Sequence, residues 1–144
     1  MLRQISPQYG IYFVFGNHDN YKDERVVLVK NSPLLDKSLE FATKIVLFYE
    51  AYSKCKKDTT IPKQLLRSGT SVGANLNEAI YGNSKADFIS KLHISLKEVG
   101  ESIYWLRLLD RTNLFEYNYD EIIALAEEIR SMLISSINTA KSNK

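Results

Sequence analysis

Carboxylates, hydroxyls and amides recur at helical spacing in the middle of this chain. Ser68, Ser71, Asn75, Glu78 and Gly82 repeat every three or four positions, and Ile94, Glu98, Glu101 and Trp105 repeat the pattern further on. Placed on facing helices, Asn75, Glu78, Glu98 and Glu101 would converge with hydroxyls beside them. Inward carboxylates in a helix bundle are the donor set of di-metal sites, in which each of two helices adds a Glu-x-x-His pair. Glu98 and Glu101 have no histidine at that spacing. His93 precedes Glu98 by five positions, and the other histidine is His18. The spacing therefore predicts no metal, no cofactor and no catalytic residue here. It predicts a structural polar network of Ser68, Ser71, Asn75, Glu78, Glu98 and Glu101, in which hydroxyls and amides satisfy the carboxylates and fix helix register.

Four helices must position these groups. In the first, Leu35, Leu39, Ala42, Val46 and Tyr49 form the expected seam, with Phe41, Ile45 and Phe48 flanking it. Lys54–Lys57 suit its carbonyl end. Asp58-Thr59-Thr60 then caps a second helix, with Pro62 in its first turn. Its seam is Leu65, Gly69, Val72, Leu76 and Ala79, ending near Gly82-Asn83. A capping box, Ser84-Lys-Ala-Asp87, opens the third helix. There Phe88, Leu92, Leu96, Val99, Ile103 and Leu106 face inward up to a stop near Asn113. The fourth runs from about Asp120 to Lys141 on Ile122, Ala126, Ile129, Leu133 and Ile137, flanked by Ile123, Met132 and Ile134.

A mid-helix glycine costs about 1 kcal/mol relative to alanine. Gly69 and Gly73 therefore predict close packing against a neighbour, with Gly100 as the counterpart on the third helix. Long helices with short connections predict an all-α, antiparallel up-down-up-down four-helix bundle. The flanking apolar residues exceed what one seam needs, which predicts a second buried surface and hence self-association.

Residues 1–32 read differently. Ile11–Phe15 and Val26–Val29 flank a turn-rich stretch, Gly16-Asn17-His18-Asp19-Asn20, and suggest strand–turn–strand. A boundary near Asn31–Pro33 divides a short strand-like or poorly ordered extension, 1–32, from a bundle over 33–144. The stretch Tyr12–Tyr21 resembles the Gly-Asn-His-Asp/Glu turn of binuclear metallophosphoesterases. That resemblance would make Asn17 a metal ligand and His18 a phosphate contact. Two-metal hydrolysis needs further ligands on other strand ends. The family's Asp-x-His, Gly-Asp-x-x-Asp and Gly-His-x-His elements are absent from the chain. The stretch reads as a metallophosphoesterase remnant or a chance hairpin. A lone apolar hairpin is marginal by itself and must dock, pair with another subunit or stay loosely ordered.

The 144 residues carry a net charge of +2, so no global field demands an acidic partner. The single cysteine, Cys55, excludes an intrachain disulfide framework and fits a reducing compartment. No apolar run approaches the roughly 18 residues of a membrane span. Met1–Pro7 lacks a basic segment leading into a long apolar one, which predicts no secretion signal and a cytoplasmic protein.

Ser38-Leu-Glu-Phe-Ala, Arg67-Ser-Gly-Thr-Ser-Val-Gly-Ala-Asn-Leu-Asn-Glu-Ala79, Lys85-Ala-Asp-Phe-Ile-Ser-Lys-Leu92 and Ser95-Leu-Lys-Glu-Val-Gly-Glu-Ser-Ile-Tyr-Trp-Leu106 carry a second resemblance. They resemble the bacterial four-helix-bundle proteins encoded in intervening sequences of 23S ribosomal RNA genes. The chain is similar, more distantly, to the accessory variability protein of diversity-generating retroelements. The resemblance spans about residues 33–142. It implies a ring-like homopentamer without catalytic activity, and for the retroelement relatives a scaffold that binds nucleic acid and reverse transcriptase. Those relatives are strongly basic, whereas residues 33–144 hold 15 Lys+Arg against 14 Asp+Glu, a difference of +1. Lys54, Lys56, Lys57, Lys63 and Arg67 cluster near the first turn, and Arg107 and Arg111 end the third helix. These are the candidate RNA contacts, because nonspecific binding rests on phosphate neutralisation. The expected role is an oligomeric scaffold for RNA or a ribonucleoprotein, with no membrane and no small-molecule substrate. The alternative is a protein-binding adaptor without nucleic acid.

Overall fold

The computed structural model describes residues 32–142. The expectations for strand–turn–strand and for Asn17, His18 and Asp19 lie outside the described residues. Within them, four helices follow one another: α1 (Pro33–Cys55), α2 (Thr60–Ile80), α3 (Lys85–Thr112) and α4 (Tyr119–Ser142). No strand occurs among the described residues. The fold is an all-α bundle in which consecutive helices pack together and α4 closes onto α1.

Paired residues fix the directions. Lys37 meets Glu128 at 3.1 Å and Lys44 meets Glu121 at 2.9 Å, so α1 and α4 run antiparallel. The Ser102 hydroxyl donates to Ser68 Oγ at 2.8 Å, and the Ser95 hydroxyl donates to the Val72 carbonyl at 3.0 Å. These set α2 against α3, also antiparallel. Ile45 faces Gly69 and Ser38 faces Gly73, which orients α1 against α2.

Local chemistry explains the helix ends. Pro33 fits the first turn of α1, where its missing N–H costs nothing. Asp58 Oδ1 accepts from Thr60 N–H at 2.9 Å at the start of α2. Ser84 Oγ accepts from Asp87 N–H at 3.1 Å at the start of α3, while Asp87 Oδ2 accepts from Asn83 N–H. Asn113 ends α3 in the left-handed region at φ 48°, which Asn tolerates better than most residues.

The seam of α1 differs from its expected register. Leu34, Ser38, Phe41, Ile45, Phe48 and Tyr52 are buried, whereas Leu39 is 69% and Val46 47% exposed. Two apolar stripes wind round α1 about one residue, or 100°, apart, and periodicity alone does not rank them. Packing does. The α3–α4 connection brings Phe115, Tyr117 and Tyr119 to the C-terminal end of α1. All three rings pack on Phe48, with centroids 4.9–5.7 Å away and edge-to-face geometry. Only the Phe41–Phe48 stripe can join that cluster. Burial pushes the Tyr119 hydroxyl up to about 12, and it donates to the Phe115 carbonyl at 3.3 Å.

Smaller departures follow the same logic. Met132, expected to flank α4, lies in the core, and Leu96 of the α3 seam is only half-buried. The buried serines Ser38, Ser68, Ser95 and Ser136 each donate to a backbone carbonyl and Ser102 donates to Ser68 Oγ, so a hydroxyl at the core needs no carboxylate partner.

The glycines divide. A Cβ at Gly69 would overlap the buried Ile45 Cδ1, with Cγ1 at 3.3 Å, and one at Gly73 would meet Ser38 Oγ at 3.3 Å. A Cβ at Gly100 would meet nothing within 4 Å, which corrects the expectation that Gly100 is a close-packing position. α3 keeps its distance there because Ser95 and Ser102, not Gly100, face α2. Gly100→Ala is therefore expected to raise stability in urea titration by about 0.5–1 kcal/mol through helix propensity alone. Gly69→Ala should lower it by roughly 1 kcal/mol, because overpacking outweighs the same gain.

Candidate interaction surface

The polar residues of the central helices are not gathered into one network. Ser68 and Ser102 form the buried hydroxyl pair. Ser71 offers its carbonyl to Asn75 Nδ2 at 2.9 Å within α2. Glu78 turns outward to the Lys91 ammonium of α3. Glu101 accepts from Trp105 Nε1 at 3.0 Å within its own helix. The expected convergence of Asn75, Glu78, Glu98 and Glu101 is thus absent. Each long carboxylate finds a partner nearer the solvent, where its charge stays hydrated, and only the short hydroxyls enter the seam.

Glu98 is the exception in kind. It is half-buried. Burial raises its carboxyl above the ordinary range, the neighbouring Glu101 carboxylate raises it further, and Arg67 pulls the other way. Among the described residues no group of three or more His, Cys, Asp or Glu side chains could hold a metal. No helix among them is long and apolar enough to cross a membrane.

The basic residues fall at one end of the bundle, because antiparallel order brings the α1–α2 turn, the start of α2 and the end of α3 together. Lys54 is paired with Glu50 at 2.8 Å, and Arg107 with Glu127 at 2.9 Å. Lys56, Lys57, Lys63, Arg67 and Arg111 are exposed and hold no ion pair among the described residues. Asp58, beside them, is held below the usual carboxylate range chiefly by its hydrogen bond from Thr60.

Three of the exposed large apolar side chains lie on the outer side of α1. Leu39, Val46 and Leu47 are 69%, 47% and 59% exposed, and Leu35, Ala42 and Tyr49 are half-buried beside them. The stripe read as the α1 seam is this outer surface. Leu47 was missed by the sequence reading. Its signal was the adjacent pair Val46-Leu47, since two neighbouring apolar residues cannot both face one core. Asp36 and Glu40 lie on the same outer side, exposed and without an ion pair among the described residues.

Comparison with known proteins adds two findings. Residues 30–135 match the model of the family described as 23S rRNA-intervening sequence protein. A solved structure of a protein with unknown function from the S23 ribosomal protein family of Bacteroides thetaiotaomicron is 48% identical. It superposes with a TM-score of 0.68 over 71% of this chain and 95% of that one. No curated protein matches the chain.

Proposed function

Because the chain belongs to the 23S rRNA-intervening sequence protein family, we propose that it acts without catalysis, as a scaffold that binds copies of itself and RNA or a ribonucleoprotein. The observation that carries this reading is the pairing of an exposed apolar face with an unpaired cationic end. Val46 and Leu47 lie on the half of α1 that leads to Lys56 and Lys57. A soluble subunit rarely leaves such apolar side chains together on one helix face unless a partner covers them. Covering them with a second copy repeats Lys56, Lys57, Lys63, Arg67 and Arg111 around the assembly. A subunit with a net charge near zero then presents a ring of cations. The homopentamer implied by the resemblance is the proposed form, and the bacterial cytoplasm its proposed setting.

Near-neutrality favours a second reading, a protein-binding adaptor without nucleic acid. Titration of a structured RNA with the full chain at several salt concentrations separates the two. Phosphate contacts release counterions, so with five contacts log K should fall with log salt at a slope of about −4. Lys56→Ala with Lys57→Ala should flatten that slope by about two contacts. A salt-independent response, or no binding at low salt, leaves the adaptor.

A further inference from the structure

We infer that the outer face of α3 around Tyr104 stacks the bases of an unpaired stretch of RNA, with Lys97, Arg107 and Arg111 against the flanking phosphates, an inference that rests on the RNA reading above and gives it a place and a strand type. Residues 97, 100, 104, 107 and 111 recur at steps of three and four, so they share one helix face. The charged members of that stripe are all cations. Tyr104 is 59% exposed, and its ring meets Trp105 edge to face with centroids 4.9 Å apart. Trp105 is half-buried and donates to Glu101 at 3.0 Å. The Tyr104 ring is thus braced on one side and open to solvent on the rest of its surface.

Gly100 keeps the approach to that ring clear. A long side chain on a helix leans over the preceding turn, and the residue one turn before Tyr104 is Gly100. A Cβ there would meet nothing within 4 Å. This glycine therefore has no packing role inside the subunit, although glycine is costly in mid-helix. A flat base suits the gap, because every base has a π-face and stacks on an aromatic ring whatever its sequence. Charge fits the same partner. Lys97 and Arg111 are exposed and hold no ion pair among the described residues, and Arg107 reaches Glu127. Arg111 stands seven residues beyond Tyr104, about 10 Å along the axis, and joins this face to Lys56, Lys57 and Lys63 at the end of the bundle. A duplex keeps its bases stacked away from Tyr104, so the fit is to an unpaired strand. A second copy is a poorer occupant, since a two-fold contact through this face would set the same cations against one another. The α1 face assigned to self-assembly also lies diagonally across the bundle from α3.

The test titrates the full chain with three probes: an oligouridylate of about 12 nucleotides, the same strand paired with oligoadenylate, and an abasic ribose-phosphate strand of equal length. Trp105 is the one tryptophan of the chain, so its fluorescence reports from this face. The oligouridylate is expected to quench it, and the abasic strand is not. Tyr104→Ala should weaken oligouridylate binding by about 5- to 150-fold, leave the duplex and the abasic strand unchanged, and keep the salt slope, because no phosphate contact is lost. Tyr104→Phe should bind as the parent does. Gly100→Gln, which fills the gap, should weaken the oligouridylate at least about 5-fold with no loss of thermal stability. Equal oligouridylate affinity for the parent and Tyr104→Ala would overturn the inference, and so would an equal loss on the duplex. Either result leaves the RNA reading standing where Lys56→Ala with Lys57→Ala still weakens binding. No binding of any probe at low salt removes the RNA reading and the inference with it, and leaves this face to a protein partner.

Discussion

Phe41→Ala is expected to lower the unfolding free energy by about 3–5 kcal/mol, whereas Val46→Ala, five positions on, should change it by no more than about 0.5 kcal/mol in the isolated subunit. Phe41 is 0% exposed and Val46 is 47% exposed. Removing the Phe41 ring forfeits its transfer free energy and leaves a cavity between rigid helices that close only partly. Total stabilities of single domains are about 5–15 kcal/mol, so the first change takes a large share and the second almost none. Urea unfolding of both variants, followed by helical circular dichroism at low protein concentration, measures the contrast. A reversed order would place the core on the Leu39–Val46 stripe.

That contrast also shows where the sequence stops being informative. Helices α2, α3 and α4 were legible because each carries one dominant stripe, and Gly69, Ser84 and Asn113 mark a close contact, a start and a stop. α1 carries two stripes of nearly equal hydropathy. Which one is buried depends on Phe115, Tyr117 and Tyr119, more than sixty residues away in sequence. No window along α1 contains them. The carboxylates failed for a related reason. Spacing shows that Glu78, Glu98 and Glu101 share helix faces, but not that Lys91 and Trp105 will draw two of them outward. The cationic end was readable because it needs only helix order. Its pairing was not, since Glu127, which takes Arg107, lies on another helix. On α1 the apolar residues exceed one seam, but the stripe assigned to the surplus, Phe41, Ile45 and Phe48, is the buried one.

Leu47→Asp is expected to break self-assembly while leaving the subunit folded. Leu47 is 59% exposed, so the substitution removes little from the core of the subunit, and aspartate is tolerated on a helix surface at a few tenths of a kcal/mol. In an assembly that buries this face the same carboxylate would be desolvated. Lys44, three residues before it on α1, is already committed to Glu121 at 2.9 Å. Substitutions at the centre of an interface commonly cost 2 kcal/mol or more, and an unpaired buried charge about 3–5 kcal/mol. Even 2–3 kcal/mol raises the concentration needed for association by roughly 30- to 150-fold. Light scattering across a dilution series should therefore find the variant as monomer where the parent chain is assembled. Leu47→Met, which keeps the apolar area, should retain assembly. An assembled Leu47→Asp protein would move the contact to another face and remove the observation on which the scaffold reading rests.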